Sequence, residues 1–403
     1  MTRFRQNSLL TPPVVKLFLF AGFVWAAVVG PSFSVLIIRS LGASSAQIGI
    51  FAAVCAVFNM VVQPFWGFLS DKTGSPRRVM CFCMGVSALF FGSSLLAGNL
   101  YTAAGLLVMD TIFRCSVTAL LDSHILSGVN TIPGLQYSHI RPAGSIFFGS
   151  LSFIYSRVIH TWTVMTIIPI SVCISALAIF WGLFAAKGRW EDGPNRNAGI
   201  FIPRRNLKKD VLDLLRNKNY IALVIFIGFS ALATSPLFVF IVDYVAAAGG
   251  NPGDVPLIHT LRCIVELPAF ILITSLGKRT HPIKLMLAGM GVYIIYIGGL
   301  LFAHTYFILA ACHMAGAAGF ILILTGRMRY LNQITPPAVR STSITVLGAF
   351  EVGIGSVVGN LVAGSVSQKY GINALTIVSL SALLVAIVTV IRMGSSEQVT
   401  VNR

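Results

Sequence analysis

Long apolar runs, separated by short polar segments, repeat along the whole chain. A helix needs about 20 predominantly apolar residues to cross the hydrocarbon of a bilayer, and each run is about that long. The pattern therefore predicts an all-α membrane protein with twelve transmembrane helices. The predicted spans are 14–38, 46–69, 79–98, 101–125, 138–159, 162–186, 219–247, 255–278, 283–303, 304–327, 339–366 and 372–391.

The longest polar stretch of the chain lies midway between its ends. It predicts two pseudo-symmetric halves of six helices each, namely an N-terminal half at 1–186, a cytoplasmic linker at 187–218 and a C-terminal half at 219–403. Pro31 and Pro236 interrupt the first span of each half at matching positions. Broken helices in corresponding positions of two repeats indicate a central binding site, whereas membrane helices also tolerate proline without such a role.

Hydrophobic residues make up 56% of the chain and charged residues 10%, whereas a soluble domain carries about 25% charged residues. Of the 29 lysines and arginines, 23 lie on the side assigned to the N-terminus, three on the opposite side and three inside spans. This bias predicts a multi-pass protein of the plasma membrane, a bacterial inner membrane, with both termini cytoplasmic. Topology thus explains the net charge of +17 without a nucleic-acid partner.

Motifs of several other protein classes are missing from the sequence. It has neither a Gly-x-x-x-x-Gly-Lys-Ser/Thr nucleotide-binding loop nor a His-Glu-x-x-His zinc pattern. All seven cysteines fall inside predicted spans, so a disulfide framework is not expected. The central polar segment is too short for an enzyme domain. We therefore expect a protein without enzyme activity, cofactor or metal, which acts as a monomer in the lipid bilayer.

A short motif lies between the second and third predicted spans. The chain reads Gly67-Phe-Leu-Ser-Asp71-Lys-Thr-Gly74, and Arg77 and Arg78 follow. The segment resembles the signature loop of the major facilitator superfamily, with the basic pair displaced by two residues. The resemblance implies the major facilitator fold and a gating role for this loop. Gly67 would permit close helix contact, Asp71 could cap a helix, and the two arginines could anchor the cytoplasmic surface.

A finer resemblance covers the region of the fourth and fifth spans. Asp122 and the sequence Arg141-Pro-Ala-Gly144 are similar to the region of lactose permease and the phenylpropionate/nucleoside proton symporters in which an acid and an arginine hold the substrate. The resemblance implies substrate binding by Asp122 and Arg141. It also implies proton coupling by Glu266 and His313, which fall where those proteins carry a functional acid and histidine.

The sequence departs from that branch at two positions. Gly316 stands where those proteins carry an acid one turn after the histidine, and Glu351 replaces the lysine of the eleventh helix within one residue. These departures put lactose as a substrate, and the detailed proton route of that branch, in doubt.

Ionisable groups inside predicted spans are costly, by roughly 3 kcal/mol each on insertion scales, and are kept when paired or functional. Asp110 and Arg114 are one turn apart and can pair, either as a structural salt bridge or as a pair that opens for substrate or a proton. Asp122 and Arg141 lie near the inner ends of their spans, where the alternative to substrate contact is a helix-end anchor. Arg141 has a planar fork suited to carboxylates or sugar hydroxyls.

The eighth span carries His259, Arg262 and Glu266 at positions i, i+3 and i+7, which places them on one stripe. Arg262 can neutralise Glu266 and release it when a substrate anion binds. Glu351 has no basic residue one turn away, so we interpret it as an unpaired acid and, with Glu266, as the leading proton carrier. His313 is either a third carrier or a satisfied polar group.

Inside the spans, four acids face three arginines, which leaves one acid without a fixed partner. This excess favours coupling to a cation. A proton is favoured over sodium because no cluster of acids with neighbouring Asn or Thr stands out in the sequence. The sequence therefore predicts a secondary active transporter of a small polar solute (an organic anion, nucleoside or sugar-like metabolite), working by proton-coupled symport and alternating access. A proton-coupled antiporter that exports a drug or metabolite is the first alternative. A nutrient sensor that binds without transporting is the second.

Overall fold

A computed structural model describes residues 12–132, 135, 137–185, 214, 216–277, 280–335 and 340–401. Its regular secondary structure is helical throughout these ranges. The helices of the N-terminal part are α1 (Pro12–Ala27), α2 (Val29–Ser32), α3 (Ser34–Ser40), α4 (Ser45–Thr73), α5 (Pro76–Ser93), α6 (Leu100–Arg114), α7 (Val117–Thr131), α8 (Tyr137–Ile140), α9 (Pro142–Thr161) and α10 (Ile167–Phe180).

Eight α-helices follow in the described C-terminal part of the chain. They are α11 (Lys218–Val239), α12 (Ile241–Ala247), α13 (Asp254–Gly277), α14 (Pro282–Leu300), α15 (Tyr306–Ile334), α16 (Arg340–Phe350), α17 (Gly359–Tyr370) and α18 (Ile372–Val401). Two π-helical segments, Trp181–Ala185 and Glu351–Val358, extend α10 and join α16 to α17. Short 3-10 turns occupy Ser94–Leu96 and Val164–Thr166.

In the described chain, eleven helical segments are long and apolar enough to cross a membrane. They correspond to eleven of the twelve predicted spans, so the expectation of an all-helical, multi-pass membrane protein is confirmed. The fifth predicted span forms helix α9, which is not among the eleven. Helix α9 carries Arg157, His160 and four serines, which lower its mean hydropathy. The count of twelve and the layout of two six-helix halves remain predictions.

The first and seventh spans are both interrupted, but after the prolines that were expected to break them, since Pro31 lies within α2 and Pro236 inside α11. Phe33 breaks the first span with φ −95° and ψ 18°, and Phe240 breaks the seventh with φ −94° and ψ 14°. A seven-residue helix, α3 or α12, follows each break. Gly42 and Gly249 then take positive φ values of 88° and 74°, which glycine adopts without a steric penalty. The same break, short helix and glycine thus occur in both parts of the chain.

The chain forms two compact units. The first contains Met1–Gly42 and Val61–Ile202, and the second contains Ala43–Met60 and Pro203–Arg403. The first part of α4 therefore belongs to the second unit, where the backbone N–H of Ala46 donates to Gln368 Oε1 at 2.9 Å. The predicted linker lies largely outside the described residues, and the division at 1–186, 187–218 and 219–403 stays a prediction.

Each unit buries its own apolar core. In the first unit, α1 packs against α9 and α10, and Leu17, Phe20, Met80 and Leu121 are fully or almost fully buried. In the second unit, α14 packs along α15, and α11 packs along α18. These helices position the charged side chains described next.

Candidate functional site

The first buried charge pair joins Asp110 and Arg114 of α6. Asp110 is fully buried, and its carboxylate accepts hydrogen bonds from the Ser87 hydroxyl at 2.5 Å and from Arg114 Nε at 3.1 Å. Arg114 also donates to the Thr111 hydroxyl at 3.3 Å. The pair expected from the i, i+4 spacing is therefore formed, and both carboxylate oxygens have a donor.

Arg141 stacks on an aromatic ring in the first unit. Its guanidinium carbon lies 5.1 Å from the centroid of the Trp25 ring. A Cβ atom on Gly144 would come within 2.9 Å of Arg141 Nη1 and 3.0 Å of the Trp25 indole nitrogen. The glycine of the Arg-x-x-Gly sequence thus leaves room for this stack. Asp122 is half-buried on α7.

The expectation that Gly67 permits close helix contact is wrong in this structure. A Cβ atom at Gly67 would meet no described atom within 4 Å. The reason is that this face of α4 is open, as the exposed side chains of Phe65 and Phe68 show. Asp71 lies in α4, and its side chain is outside the described part of the structure. Gly74 has φ +64° and ends α4 in the left-handed conformation that favours glycine.

The two arginines after this loop have different environments. Arg78 is exposed, as expected for an anchor at the surface. Arg77 lies in the first turn of α5, but its side chain is only 3% exposed. It donates hydrogen bonds to the backbone carbonyls of Gly182 and Leu183 in the π-helical end of the sixth span. The surface role expected for Arg77 is therefore wrong, because its guanidinium satisfies carbonyls that a helix end leaves free.

In the second unit, Arg262 lies between two aromatic rings. Its guanidinium carbon is 4.4 Å from the Phe238 centroid and 5.7 Å from the Phe320 centroid. The expected pair between Arg262 and Glu266 is not formed. Glu266 is half-buried on the same helix, α13, and forms no ion pair in the described chain. The i, i+4 spacing permits the pair, but the rings of α11 and α15 hold the guanidinium elsewhere.

His313 of α15 is a buried histidine with one nitrogen engaged. Its Nδ1 lies 3.1 Å from the Tyr296 hydroxyl, and its ring packs edge-on against the Tyr296 ring. The side chain is 1% exposed, and Nε2 has no hydrogen-bond partner among the residues that the structure describes. The charge of Arg262 acts electrostatically on His313, and also on the half-buried His259 of α13. These three groups therefore belong to one polar cluster of the second unit.

Glu351 is paired, contrary to expectation. Its Oε1 accepts a hydrogen bond from Arg327 Nη1 at 2.8 Å. The side chain of Glu351 is 34% exposed and that of Arg327 is 16% exposed. The predicted tenth span ends at Arg327, and this arginine counts among the basic residues assigned to the cytoplasmic side. Helix α15 instead continues to Ile334 and carries Arg327 to the start of the π-helical segment. The count of four acids against three arginines within the spans therefore omitted a cation.

Three residues that contact these charged groups were missed, namely Phe238, Phe320 and Arg327, whereas Tyr296 was expected among aromatic residues that could line a cavity. A signal for Arg327 existed, because it follows His313 by 14 residues, about four helical turns, and so shares its helix face. The aromatic residues carry no such signal, since most phenylalanines in a membrane span face lipid or core. Among the described residues, no group of three or more His, Cys, Asp or Glu side chains could hold a metal ion.

The chain is similar to known transporters over nearly its whole length. It matches the family described as "MFS_1 like family" over residues 14–378. The uncharacterized transporter YwbF of Bacillus subtilis (strain 168) is 21% identical over 342 residues, which cover 84% of this chain and 82% of that protein. Two structures of the nucleoside transporter NupG share 14% identity and a TM-score of 0.77, and they cover 96% and 97% of this chain and 99% of their own.

A bacterial homologue of the human lysosomal transporter Spinster gives lower TM-scores, 0.63 and 0.65, in two inward-facing structures. The first structure is 14% identical and covers 94% of this chain and 94% of its own. The second is 12% identical and covers 95% of this chain and 96% of its own. At these identities the solved structures show a shared fold. The family match carries the classification: because it spans most of the helical chain, this protein belongs to the MFS_1-like family of the major facilitator superfamily, a family of membrane transporters.

Proposed function

We propose that this protein is a proton-coupled symporter of a small polar solute that works by alternating access. The observation that carries the proposal is a set of ionisable groups on membrane helices of the second unit, namely Arg262, His313 and the Arg327–Glu351 pair. Ionisable groups are rare at such depths unless they serve transport. Among the described residues, these groups and Glu266 provide a cation without an ion pair, Arg262, for a substrate, and acids for a proton.

Substrate contacts are assigned to Arg141, Asp122 and Arg262. Arg141 and Arg262 are held by aromatic rings and not by acids in the described chain, so their donors remain available. The contacts of the Asp110–Arg114 pair favour the structural alternative for that pair, because each carboxylate oxygen already has a donor. The pair would bind substrate only after it opened.

Proton coupling is assigned first to Glu351. A proton on its carboxylate would neutralise the acid and weaken the hydrogen bond to Arg327, so that a charge pair becomes a single free cation. Glu266 is the second candidate, since it has no ion-pair partner in the described chain. His259 and His313 lie in the same electrostatic cluster and are candidates for relaying the proton.

The loop from Gly67 to Arg78 is assigned a gating role, as in the superfamily signature that it resembles. We place the protein as a monomer in the plasma membrane, a bacterial inner membrane, with both termini cytoplasmic. Its organisation is 1–186 and 219–403 as six-helix halves around a linker at 187–218.

The test is uptake of radiolabelled nucleosides, sugars and organic acids into proteoliposomes, with an acid exterior and with protein-free liposomes as the baseline. We expect accumulation of one class, abolished when a protonophore collapses the gradient. Glu351→Gln should lose this accumulation but retain exchange of labelled for unlabelled solute, because exchange needs no net proton movement. The same substitution at Glu191, in the polar linker, is the matched control.

Accumulation that ignores the pH gradient, or full accumulation by Glu351→Gln, would contradict proton symport through this acid. Solute leaving the cytoplasmic side in everted vesicles in exchange for protons would support the antiporter. Saturable binding without flux in either direction would support the nutrient sensor.

A further inference from the structure

A groove lies between the start of α11 and the middle of α18, within the second unit. Its volume is about 920 Å³, in the range of clefts that bury small ligands. Ile221 and Ile225 line it from α11, and Leu384 and Val388 line it from α18. These positions are four residues apart on each helix, so each helix presents one apolar face to the groove.

One end of the groove is polar and positively charged. Lys218, the first residue of α11, and Arg392 of α18 both line this end. Both cations are exposed, and neither forms an ion pair among the described residues. None of the residues described in the lining is acidic. The protein therefore leaves this charge without a balancing acid in the groove.

The two cations, and not the helix end, are the groups available to an anion. The side chain of Asn217 already accepts hydrogen bonds from the backbone N–H groups of Asn219 and Tyr220 at 3.0 and 3.3 Å. This cap uses donors that a helix N-terminus would otherwise offer to a bound anion. The ammonium of Lys218 and the guanidinium of Arg392 come from different helices, so an anion bound by both would bridge α11 and α18.

The groove extends from the membrane surface into the hydrocarbon. Lys218 begins a membrane-spanning helix, and Arg392 lies two residues before the end of another, at Gly394. From these cations to Ile225 and Leu384 the helices rise by about 10 to 12 Å. This length is close to half of the roughly 30 Å hydrocarbon thickness. The cations thus lie near the depth of lipid headgroups, and the apolar faces lie at the depth of one acyl chain.

We propose that this groove binds an anionic phospholipid of the leaflet predicted to face the cytoplasm. Lys218 and Arg392 contact its phosphate, and one acyl chain lies along the apolar faces of α11 and α18. Basic pockets between membrane helices on the cytoplasmic side are typical sites for such headgroups. A soluble phosphate would leave the apolar faces unused, and the ammonium of a zwitterionic lipid would oppose the two cations. An anionic lipid matches both ends of the groove.

The proposed lipid site is separate from the proposed transport site. The groove shares none of its lining residues with the polar cluster of Arg262, His259 and His313. Its occupancy assumes neither a substrate class nor proton coupling. A lipid that contacts α11 and α18 together stabilises their packing, because a ligand stabilises the state that it binds.

The experiment compares an anionic lipid with a zwitterionic lipid and with a soluble headgroup. Purified full-length protein, delipidated in dodecyl maltoside, is titrated with phosphatidylglycerol, phosphatidylcholine or glycerol 3-phosphate while its melting temperature is followed. We expect phosphatidylglycerol to raise the melting temperature at concentrations about tenfold lower than phosphatidylcholine, and glycerol 3-phosphate to have no effect. Native mass spectrometry then counts the phosphatidylglycerol molecules that stay bound.

Variants test the two ends of the groove separately. The double variant Lys218→Gln/Arg392→Gln should need about 10- to 30-fold more phosphatidylglycerol for half of the shift, because two cations near an anionic lipid are lost. Val388→Trp keeps both cations but fills the apolar part, and it should retain one phosphatidylglycerol fewer than the wild type. These side chains are exposed, so the variants should fold, and each shift is measured from the variant's own lipid-free melting temperature.

The matched control is the double variant Lys16→Gln/Lys284→Gln. It removes two exposed cations that are assigned to the same side of the membrane but do not line the groove. It should bind phosphatidylglycerol as the wild type does. A loss equal to that of Lys218→Gln/Arg392→Gln would show that overall charge, and not this groove, attracts the lipid.

Four further results would overturn the lipid assignment. Equal affinity for phosphatidylglycerol and phosphatidylcholine would show that the groove does not recognise charge. A full shift with glycerol 3-phosphate alone would show a site for a soluble phosphate. Wild-type lipid binding by both groove variants would place the lipid elsewhere. A lipid-free dimer that Val388→Trp converts to a monomer would show that a second copy of the chain occupies the groove.

Discussion

The arginine side chains with contacts in the candidate site have three kinds of partner in the described part of the chain, and the partner decides what each can do. Arg114 and Arg327 are held by carboxylates. Arg77 is held by backbone carbonyls. Arg141 and Arg262 are held by aromatic rings, which leave the edge of the guanidinium open. An arginine already bound to oxygen must break that contact before it binds a substrate, whereas one stacked on a ring does not. This difference is the reason why substrate contacts are proposed for Arg141 and Arg262.

Replacing Arg77 should destabilise the fold, although this arginine belongs to the segment for which a gating role is proposed. Arg77→Gln removes charge-assisted hydrogen bonds to the carbonyls of Gly182 and Leu183 and leaves those oxygens without their donor. We expect a loss of about 2 kcal/mol in unfolding free energy, typical of a buried hydrogen bond to a charged group. The measurement is the melting temperature in detergent. The adjacent, exposed Arg78→Gln is the control and should leave it unchanged. Equal melting temperatures would show that Arg77 does not support the end of the sixth span.

At the scale of elements, the eleventh span is built around a π-helical segment, Glu351–Val358, packed on α11. A π-helical segment has a wider backbone than an α-helix and often occurs at functional sites. Here it begins at Glu351, the acid that pairs with Arg327. Its glycines let it approach α11 closely, since a Cβ on Gly355 would overlap the Cβ of Ala231 and lie 3.0 Å from its carbonyl carbon.

Gly355→Ala should therefore destabilise the second unit by about 1–3 kcal/mol, the usual cost of overpacking a tight contact. The melting temperature in detergent reports the loss. Ala231→Gly removes the opposing methyl group, so the double variant should recover much of it. Gly348→Ala in α16 is the control, because an added Cβ there meets no described atom within 4 Å. If the single and double variants melt together, the contact between the π segment and α11 is not tight.

The number and approximate positions of the membrane helices were largely predictable from the sequence, because the thickness of the bilayer sets the length of each apolar run. The apolar runs predicted where helices occur, but not where polar residues lie inside them. Helix α15 was cut short at Arg327 because an arginine resembles a loop residue, although the helix continues to Ile334. The fourth span is divided at Cys115 and Ser116 into α6 and α7, and no proline or glycine marks that break.

The same limit applies to the candidate site. Asp110 and Arg114 share one helix, so helical periodicity alone predicted their pair. Arg327 and Glu351 pair between two helices, and Arg262 stacks on rings from two others. Such contacts depend on how separate helices pack and rotate against one another, which the spacing of residues along one helix does not encode. For this reason the sequence predicted a pair between Arg262 and Glu266, the acid of its own helix, and not the stacking on rings of other helices.

At the scale of the whole molecule, the uneven distribution of lysine and arginine makes an independent prediction about topology. Most basic residues fall in the polar segments assigned to the cytoplasm, and few fall in the opposite ones. Because positively charged loops are retained on the cytoplasmic side during insertion, the segment around Asn195 should face the cytoplasm. The segment around Asn251, between α12 and α13, should face the opposite side.

Cysteine labelling in intact cells measures this orientation directly. A membrane-impermeant maleimide should label Asn251→Cys in intact spheroplasts, and it should label Asn195→Cys only after the membrane is broken. Gly98→Cys, between α5 and α6, repeats the outer position in the first unit, where an added side chain meets no described atom within 4 Å. The wild type, with seven native cysteines, sets the background. Labelling of Asn195→Cys in intact spheroplasts would show that the topology is the reverse of the predicted one. A proton that enters from outside would then approach Glu351 from the other end of the protein, and uptake driven by it would need a different route.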